Sequence, residues 1–183
     1  MLNIHFDPFP TLTTVRFVLR QITFDDAEML FGMRSDPETM AYIPRPLAKT
    51  MDDVTALIQS IHDGDEKGES LLWAISFKND TKLLGTIGYY RLKPEHFRAE
   101  IGYLLHRDFW QKGIMYEVLQ SVLEFGFKEM NCHSIEAIID PDNVASARLL
   151  EKCGFVKEAH FKENCFWNGQ FLDSVVYSKL KNV

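Results

Sequence analysis

The chain has 183 residues, of which 46% are hydrophobic and 25% charged, with a formal net charge of −6. These proportions are typical of one soluble globular domain, and the negative charge argues against a general nucleic-acid binder. No apolar run approaches the roughly 20 residues that span a bilayer, so no membrane partner is expected. Three cysteines without a CxxC spacing, and an N-terminus without a signal-peptide pattern, favour a cytoplasmic location.

The first half of the chain predicts a strand, two helices and then three strands. Residues 15–22 alternate apolar and polar side chains as a strand does, and Thr23 is placed to cap a first helix. After a proline-rich loop, Thr50 caps a second helix that Gly64 ends. Strand-like runs follow at 71–78, 82–92 and 98–106.

The second half predicts two helices and three strands. A helix begins at Gly113, and apolar residues at helical spacing give it one buried face: Met115, Val118, Leu119, Val122 and Phe125. Residues 134–140 read as a strand and 143–154 as a short helix, and Asn168-Gly169 is a hairpin turn between two final strands. The order β-α-α-β-β-β-α-β-α-β-β predicts one α/β domain with a mixed sheet.

The helix start at Gly113 is the first candidate binding site. No carboxylate or hydroxyl cap precedes it in Trp110-Gln111-Lys112, so its free amides form a potential anion site. Gly113 permits close approach of the backbone, and Lys112 adds positive charge. Neither GxxxxGK[ST] nor GxGxxG occurs in the chain. The alternative is an ordinary strand-to-helix turn whose amides face water.

Several segments together resemble the GNAT acetyltransferases, in particular the RimJ/RimL type that acetylates ribosomal-protein alanine N-termini. They are "FPTLTTVRFVLRQITFDDAEML", "AEIGYLLHRDFW", "QKGIM" and "DNVASARLLEKCGF". The resemblance extends from about Phe9 to Leu180. It implies a mixed, mostly antiparallel sheet flanked by helices, with two central parallel strands that splay apart. We expect one domain over 9–183, preceded by an N-terminal extension over 1–8.

The resemblance implies that acetyl-coenzyme A is the cosubstrate. The matching segment Trp110-Gln111-Lys112-Gly113-Ile114-Met115 would wrap its pyrophosphate. Trp110 departs from the family's Arg or Gln, and Met115 from its Gly or Ala, so the Met115 side chain must point away from the phosphates. The amides of Tyr103, Leu104 and Leu105 would bind the thioester and pantetheine arm, and Asn143 and Ser146 would contact the coenzyme. The alternative for Tyr103 to Leu105 is a fully paired strand.

Acetyl transfer to an amine needs a base for the amine and a proton for the departing thiolate. Glu100 is the expected base, acting through a water, and Ser146 the expected acid, since the tyrosine that many relatives use is Leu150 here. Water is the alternative proton source. A surface carboxylate, a helix cap at Asn143 and a solvated serine are the structural alternatives. Cys132 and Cys153 are expected to be structural.

The acceptor is a primary amine, with a protein N-terminus as one option and a polyamine, amino acid or aminoglycoside as another. A coenzyme-binding sensor without turnover is a third reading. Tyr42 and Arg45, in the loop after the first helix, are the substrate-binding candidates. The histidines are scattered, so no metal site is expected. The sequence is compatible with a monomer or a homodimer.

Overall fold

The computed structural model describes residues 1–181, which form eight strands, four α-helices and three short 3-10 helices. The helices are α1 (Ala27–Ser35), α2 (Met51–Lys67), α3 (Ile114–Lys128) and α4 (Val144–Lys152). The strands are β1 (Leu12–Thr13), β2 (Phe17–Gln21), β3 (Leu71–Phe77), β4 (Gly85–Lys93), β5 (Arg98–Leu105), β6 (Ser134–Ile139), β7 (Val156–Trp167) and β8 (Gln170–Leu180). The 3-10 helices are Phe24–Asp26, Pro94–His96 and Arg107–Phe109.

The eight strands form a single sheet in the order β1-β2-β3-β4-β5-β6-β8-β7. Every neighbouring pair is antiparallel except β5 and β6, which are parallel. Their parallel pairing begins at Arg98–Ser134 and stops at Glu100–Glu136. Because β5 continues to Leu105 and β6 to Ile139, the two strands separate beyond Glu100. The expected mixed sheet with a splayed central pair is confirmed.

The sheet separates two hydrophobic cores. On one face α3 and α4 pack against strand residues that include Trp73, Ile87 and Ile101. On the other face α1 and α2 cover Leu72 and Leu104, among others. Strand β3 is buried over all but its last residue because it contributes to both cores. One face of β5 therefore packs against the α3–α4 core, and the other packs against the α1–α2 core.

Several predicted elements differ from the structure at their ends. The helix capped by Thr50 does not end at Gly64 but continues to Lys67, and Gly68 ends it in the left-handed region with φ of 66°. Gly64 is buried inside that helix, where its lack of a side chain leaves room for Ser70. The first strand is shorter than 15–22, because Val15 is exposed and does not continue the alternation. The sequence did not indicate β1 or the 3-10 helices.

The hairpin turn and the caps follow the sequence prediction. Asn168 and Gly169 both have positive φ and join β7 to β8 as a two-residue turn. The Thr50 hydroxyl accepts a hydrogen bond from the amide of Asp53, which completes a capping box. Asn143 caps α4 by accepting a hydrogen bond from the amide of Ser146 at 3.0 Å.

Residues 1–8, which we expected as an extension, lie against the domain. Leu2 is buried in the core on the α3 face, and the amide of Asn3 donates to the Met130 carbonyl at 2.9 Å. The last two residues of the expected domain, 182–183, lie outside the described part of the chain. Among residues 1–181, none of the helices is both long and apolar enough to cross a membrane.

Candidate active site

The loop before α3 presents a row of unused backbone amides. The first hydrogen bond of the helix joins the Glu117 amide to the Gly113 carbonyl at 3.3 Å. Within residues 1–181, the six amides of 111–116 have no acceptor. Gln111 and Gly113 both have positive φ, at 60° and 69°, which turns successive amides toward one side of the loop. The absence of a side-chain cap at Gly113 agrees with the sequence.

A network anchored on α3 fixes the position of this loop. One carboxylate oxygen of Glu117 accepts from the Thr14 hydroxyl at 2.6 Å and the Arg16 amide at 2.8 Å, while the other accepts from Arg16 Nε at 2.7 Å. The same guanidinium donates to the Lys112 carbonyl at 3.2 Å. These bonds hold the pKa of Glu117 below its usual value, although burial acts in the opposite direction. The turn before β2 therefore braces the amide-bearing loop.

The side chains of the loop point away from the row of amides. Met115 and Ile114 are buried in the core beside α3, which is where Met115 was expected to point. Trp110 Nε1 donates to the Leu105 carbonyl at 2.7 Å, so this tryptophan ties the loop to the end of β5. The Lys112 ammonium donates to the Asp108 carbonyl at 2.7 Å. The loop is thus supported by its side chains, and its backbone amides remain available.

Beyond Glu100, one edge of β5 has no partner strand. The His106 amide donates to the Leu84 carbonyl at 2.9 Å, and antiparallel strands alternate their bonding directions, so the Leu104 amide faces β4. The amides of Tyr103 and Leu105 face the opposite way, into the gap left by β6. No strand pairs with them in the described part of the chain. Of the three amides expected to bind the coenzyme, those of Tyr103 and Leu105 therefore face the gap, whereas that of Leu104 faces β4.

The Tyr103 side chain adds a polar group to this gap. Its hydroxyl is shielded from solvent and has no hydrogen-bond partner among residues 1–181. The Ser146 hydroxyl is close enough to act on the pKa of Tyr103, but no hydrogen bond joins the two groups within residues 1–181. Burial raises the pKa of Tyr103 to about 12, while the neighbouring Ser146 acts to lower it. The phenol therefore stays protonated near neutral pH and has a proton to donate.

Ser146 and Asn143 lie in the first turn of α4, on the same face of the sheet as Tyr103. The side-chain oxygen of Asn143 is used as the helix cap, which leaves its amide hydrogens for a ligand. Leu150 is fully buried in the core, so the position where relatives carry a tyrosine contributes no proton donor here. Ser146 and Tyr103 are the hydroxyl groups that the structure brings together at the gap.

Glu100 lies on the opposite face, where β5 and β6 begin to separate. Its side chain is mostly buried, with 14% of its surface exposed, and it accepts from Arg91 Nη1 at 2.7 Å. It shares the α1–α2 face with Gly102 and Leu104, because alternate residues of a strand point the same way. Glu100 and Ser146 therefore approach the gap from opposite sides of the sheet.

The last parallel pair is held together by a buried carboxylate. Glu136, opposite Glu100 on β6, accepts from Arg98 at 2.8 Å and from the Lys93 ammonium at 3.1 Å. Burial alone would raise the pKa of Glu136, but these bonds outweigh it and hold the pKa below its usual value. This ion-pair network fixes the point from which the strands diverge.

The substrate-binding candidates lie in the loop between α1 and α2, which passes over the face that carries Glu100. Tyr42 and Arg45 are both exposed. The charge of Arg45 acts on the hydroxyl of Tyr90, whose pKa burial raises to about 12. Glu100 also acts on that hydroxyl, so Arg45 is near the reacting side of the gap. No contact in the described residues brings Tyr42 to the same point.

Two functional candidates were missed in the sequence. Tyr103 was considered only for its amide, and Arg34 was not singled out as a site residue. Nothing in the local pattern distinguishes these side chains from ordinary core residues, because their significance comes from partners that are distant in the chain. Trp73, Tyr89 and Tyr90 are aromatic residues that could line a substrate cleft, but Trp73 and Tyr89 are fully buried in the core.

The cysteines and histidines provide no alternative chemistry. Burial raises the pKa of the Cys132 thiol to about 12 and also raises that of Cys153, so neither resembles an activated nucleophile. Among residues 1–181, no group of three or more His, Cys, Asp or Glu side chains is arranged to hold a metal ion. Glu100, Ser146 and Tyr103 therefore remain the candidates for proton transfer at the gap.

Comparisons of sequence and of structure with known proteins identify the same family. The acetyltransferase (GNAT) domain matches residues 16–156. The protein named Uncharacterized N-acetyltransferase YoaA from Bacillus subtilis is 36% identical over 173 residues, which cover 94% of this chain and 98% of that protein. A solved structure described as RimL, a ribosomal L7/L12 alpha-N-protein acetyltransferase in complex with coenzyme A, has a TM-score of 0.84. It covers 93% of this chain and 98% of that one at 18% identity, which shows the shared fold.

Two more distant relatives act on different amines. The [ribosomal protein uS5]-alanine N-acetyltransferase of Escherichia coli is 24% identical and covers 92% of this chain and 90% of that protein. The spermidine N(1)-acetyltransferase of Vibrio cholerae is also 24% identical, with coverages of 86% and 89%. The family match, the YoaA identity and the fold agree with the splayed sheet and the uncapped helix. The chain belongs to the GNAT acetyltransferase family and is an N-acetyltransferase of the RimJ/RimL-like type.

Proposed function

We propose that this protein transfers the acetyl group of acetyl-coenzyme A to the α-amine of a protein N-terminus or of a similar primary amine. One observation carries the proposal. The gap between β5 and β6 has free amides and hydroxyl groups on the α3–α4 side and a shielded carboxylate on the α1–α2 side. This arrangement supports a reaction in which the two substrates enter from opposite faces and meet at Glu100.

Two parts of the structure carry free hydrogen-bond donors that suit the coenzyme. The six free amides of 111–116 lie at the positive end of α3, where a pyrophosphate is favoured. The amides of Tyr103 and Leu105 provide donors for an extended amide-bearing arm along the open edge of β5. When bound there, acetyl-coenzyme A supplies the activated acetyl thioester. The donors of Gln111 to Tyr116 would hold its phosphates, and Asn143 would contribute its side-chain amide.

Glu100 acts as the base and Ser146 as the acid in the proposed reaction. Glu100 accepts a proton from the attacking amine through a water, which suits an α-amine whose ordinary pKa is about 7.7–8.0. A lysine side chain, with a pKa near 10.4, would need a larger shift. Ser146 donates a hydrogen bond to the departing sulfur and supplies its proton. With the coenzyme bound, the Tyr103 hydroxyl would donate to the oxygen of the neighbouring Ser146 and direct the serine proton at the sulfur.

The proposal includes a cytoplasmic location, because the three free cysteines suit a reducing compartment. It places no requirement on assembly, since the residues assigned here all come from one chain. The protein would therefore function as a monomer or as a homodimer.

The test is release of coenzyme A from acetyl-coenzyme A with three acceptors. They are a peptide with a free Ala or Ser N-terminus, the same peptide blocked at its N-terminus but with an internal lysine, and spermidine. We expect release with the free N-terminus and little with the blocked peptide. Release with spermidine alone would contradict the proposed acceptor and place the protein among small-molecule acetyltransferases. Coenzyme binding without release with any acceptor would contradict turnover itself.

A further inference from the structure

Two arginines on the α1–α2 face, where the acceptor would enter, have no carboxylate partner among residues 1–181. Arg34 is in the last turn of α1, and Arg45 is in the loop that follows. Neither guanidinium forms an ion pair with any Asp or Glu in the part of the chain that the structure describes. By contrast, Arg107, on the same side of the protein, is paired with Asp36 and Glu38. We call Arg34 and Arg45 the arginine pair.

Arg34 is the more unusual member of the pair. Its Nε is shielded from solvent and has no hydrogen-bond partner among residues 1–181, and its Nη1 lies 3.8 Å from the sulfur of Met40. Burial lowers the pKa of Arg34 below its ordinary value, and the positive charge of Arg45 lowers it further. A shielded Nε without an acceptor is unfavourable for the folded protein, because burial removes hydration that no partner replaces.

The arginine pair lies close to the proposed base. Tyr90 is on β4 directly opposite Glu100 and packs against the core on the α1–α2 face. The charges of Arg34, Arg45, Asp65 and Glu100 all act on its hydroxyl. The Tyr90 ring lies against Gly102 of β5, at the point where the gap has opened. Glu100 itself is already paired with Arg91, so its charge is not used to neutralise the arginine pair. An acceptor whose amine reaches Glu100 would therefore bring its nearest substituents to Arg34 and Arg45.

We propose that the arginine pair binds a carboxylate of the acceptor, so that the preferred substrate is a primary amine with a carboxylate a few bonds from its nitrogen. This inference rests on the proposed function, since it concerns the acceptor of the same site. Two sources supply such a group: an N-terminal peptide with an acidic second residue, and a free α-amino acid. The planar guanidinium matches a carboxylate well. A polyamine, which carries only positive charge, would be repelled.

The test measures acceptor binding to protein saturated with coenzyme A, by titration calorimetry, so that it does not depend on turnover. One matched pair is Ser-Glu-Ala-Ala and Ser-Gln-Ala-Ala, both amidated at the C-terminus. The other pair is L-serine and L-serinamide. In at least one of the two pairs, we expect the compound with the carboxylate to bind at least about tenfold more tightly than its uncharged partner. A tenfold difference in Kd is the usual effect of one charge-assisted hydrogen bond. The pair that shows the difference identifies the source.

Arg34→Gln and Arg45→Gln should each reduce the difference to about threefold or less while leaving coenzyme A affinity unchanged. Arg45 is exposed, so its variant tests the inference even if Arg34→Gln folds poorly. Arg107→Gln is the control and should keep the preference. Equal binding within both pairs, or a preference that survives in both arginine variants, would overturn the inference. Turnover of the free N-terminal peptide in that case would still support the proposed function, so the two failures are distinct.

Discussion

Glu100 is held at the divergence of β5 and β6 by backbone pairing on both sides. Its strand pairs with Tyr90 of β4 and with Glu136 of β6, and its carboxylate accepts a hydrogen bond from Arg91. The backbone position is therefore rigid, while the side chain faces the α1–α2 loop. A carboxylate in this position can accept a proton from an amine through one water without any movement of the strand.

We expect Glu100→Gln to lower kcat by at least about tenfold, because the variant keeps the shape of the side chain but loses the base. Coenzyme A affinity should change little, since Glu100 lies on the face opposite α3 and α4. Steady-state kinetics with an N-terminal peptide and calorimetry with coenzyme A measure the two effects. Glu95→Gln, an exposed glutamate between β4 and β5, is the matched control. Unchanged kcat in Glu100→Gln would remove this residue from the mechanism.

Ser146 and Tyr103 form the second residue-scale feature. If Tyr103 directs the Ser146 proton, Tyr103→Phe and Ser146→Ala should each lower kcat by about tenfold, and the double variant should be no slower than the slower single variant. Tyr103→Phe removes a buried hydroxyl that has no hydrogen-bond partner among residues 1–181, so the melting temperature should not fall. If the two side chains contributed to kcat independently, their effects on kcat would multiply in the double variant. That result would show that Tyr103 does not act through Ser146.

At the scale of single residues, the sequence predicted the backbone and helix-cap groups of the candidate site, but it did not predict which side chains would lie next to one another. Glu100, Asn143 and Ser146 lie in segments that resemble family motifs, so their positions could be predicted from the chain. The proximity of Tyr103 to Ser146, and of Arg34 to Tyr90, joins residues 43 and 56 positions apart. Such contacts depend on how helices pack against the sheet, which no local pattern encodes.

The element that carries the proposed coenzyme site is the loop from Trp110 to Gly113 with the first turn of α3. Its shape depends on two residues with positive φ, Gln111 and Gly113, and on the brace from Arg16 to the Lys112 carbonyl. The sequence predicted the helix start correctly because a glycine without a neighbouring cap is distinctive. It did not predict the brace, because Arg16 and Lys112 belong to different elements.

Gly113→Val should remove most of the thermal protection that coenzyme A gives. An added Cβ would meet no atom closer than Arg16 Nη2 at 3.8 Å, so the expected damage comes from φ of 69°, which a β-branched residue rarely adopts. Relaxing that angle would rotate the amides of 111–116 away from the phosphates. The measurement is the shift in melting temperature on adding coenzyme A at about 100 times the wild-type Kd, a level that stabilises a protein by about 2.7 kcal/mol.

The control for this variant is Gly32→Ala. Gly32 is in α1, where an added Cβ meets nothing within 4 Å, so the change should keep the coenzyme-induced shift and favour the helix slightly. Gly113→Ala, a milder change, should give an intermediate shift. A full wild-type shift in Gly113→Val would mean that the pyrophosphate binds elsewhere.

The ends of the other elements show why periodicity alone places boundaries imprecisely. The helix capped by Thr50 passes through Gly64, because burial against Ser70 favours a residue without a side chain inside the helix. Its end is set instead by Gly68, whose left-handed backbone lets its amide bond the Asp65 carbonyl. Two glycines four residues apart offer the same signal in sequence, and only packing distinguishes them.

At the scale of the whole molecule, the proposed function requires the sheet to keep the two substrates on opposite faces until they meet. The α3–α4 face carries the free amides, Tyr103 and Ser146, and the α1–α2 face carries Glu100 and the arginine pair. The single opening between the faces is the divergence of β5 and β6 in the described chain. Composition and periodicity predicted a mixed sheet. The separation of β5 and β6 was predicted only by the family resemblance, because the sequence of β5 alone is that of a fully paired strand.

Stability of this architecture should depend on pH through Asp65, near the end of α2. Burial raises the pKa of its carboxyl to about 7, although the Leu72 amide donates to one oxygen at 3.3 Å. The other oxygen has no hydrogen-bond partner among residues 1–181. An unfolded aspartate ionises near pH 3.9, so folding takes up a proton between about pH 4 and pH 7. The contribution of this group to stability is therefore lost as pH rises through that window.

Asp65→Asn should raise the melting temperature at pH 8, because the amide keeps the shape of the protonated carboxyl and carries no charge to bury. The gain should shrink steadily as the pH falls from about 7 to about 4, where the wild-type carboxyl is protonated in the folded state. Thermal melts of both proteins across this range measure the difference. Glu66→Gln, an exposed neighbour on α2, should show no such gain. A gain that is independent of pH, or a loss at pH 8, would show that Asp65 is stabilised as a carboxylate instead.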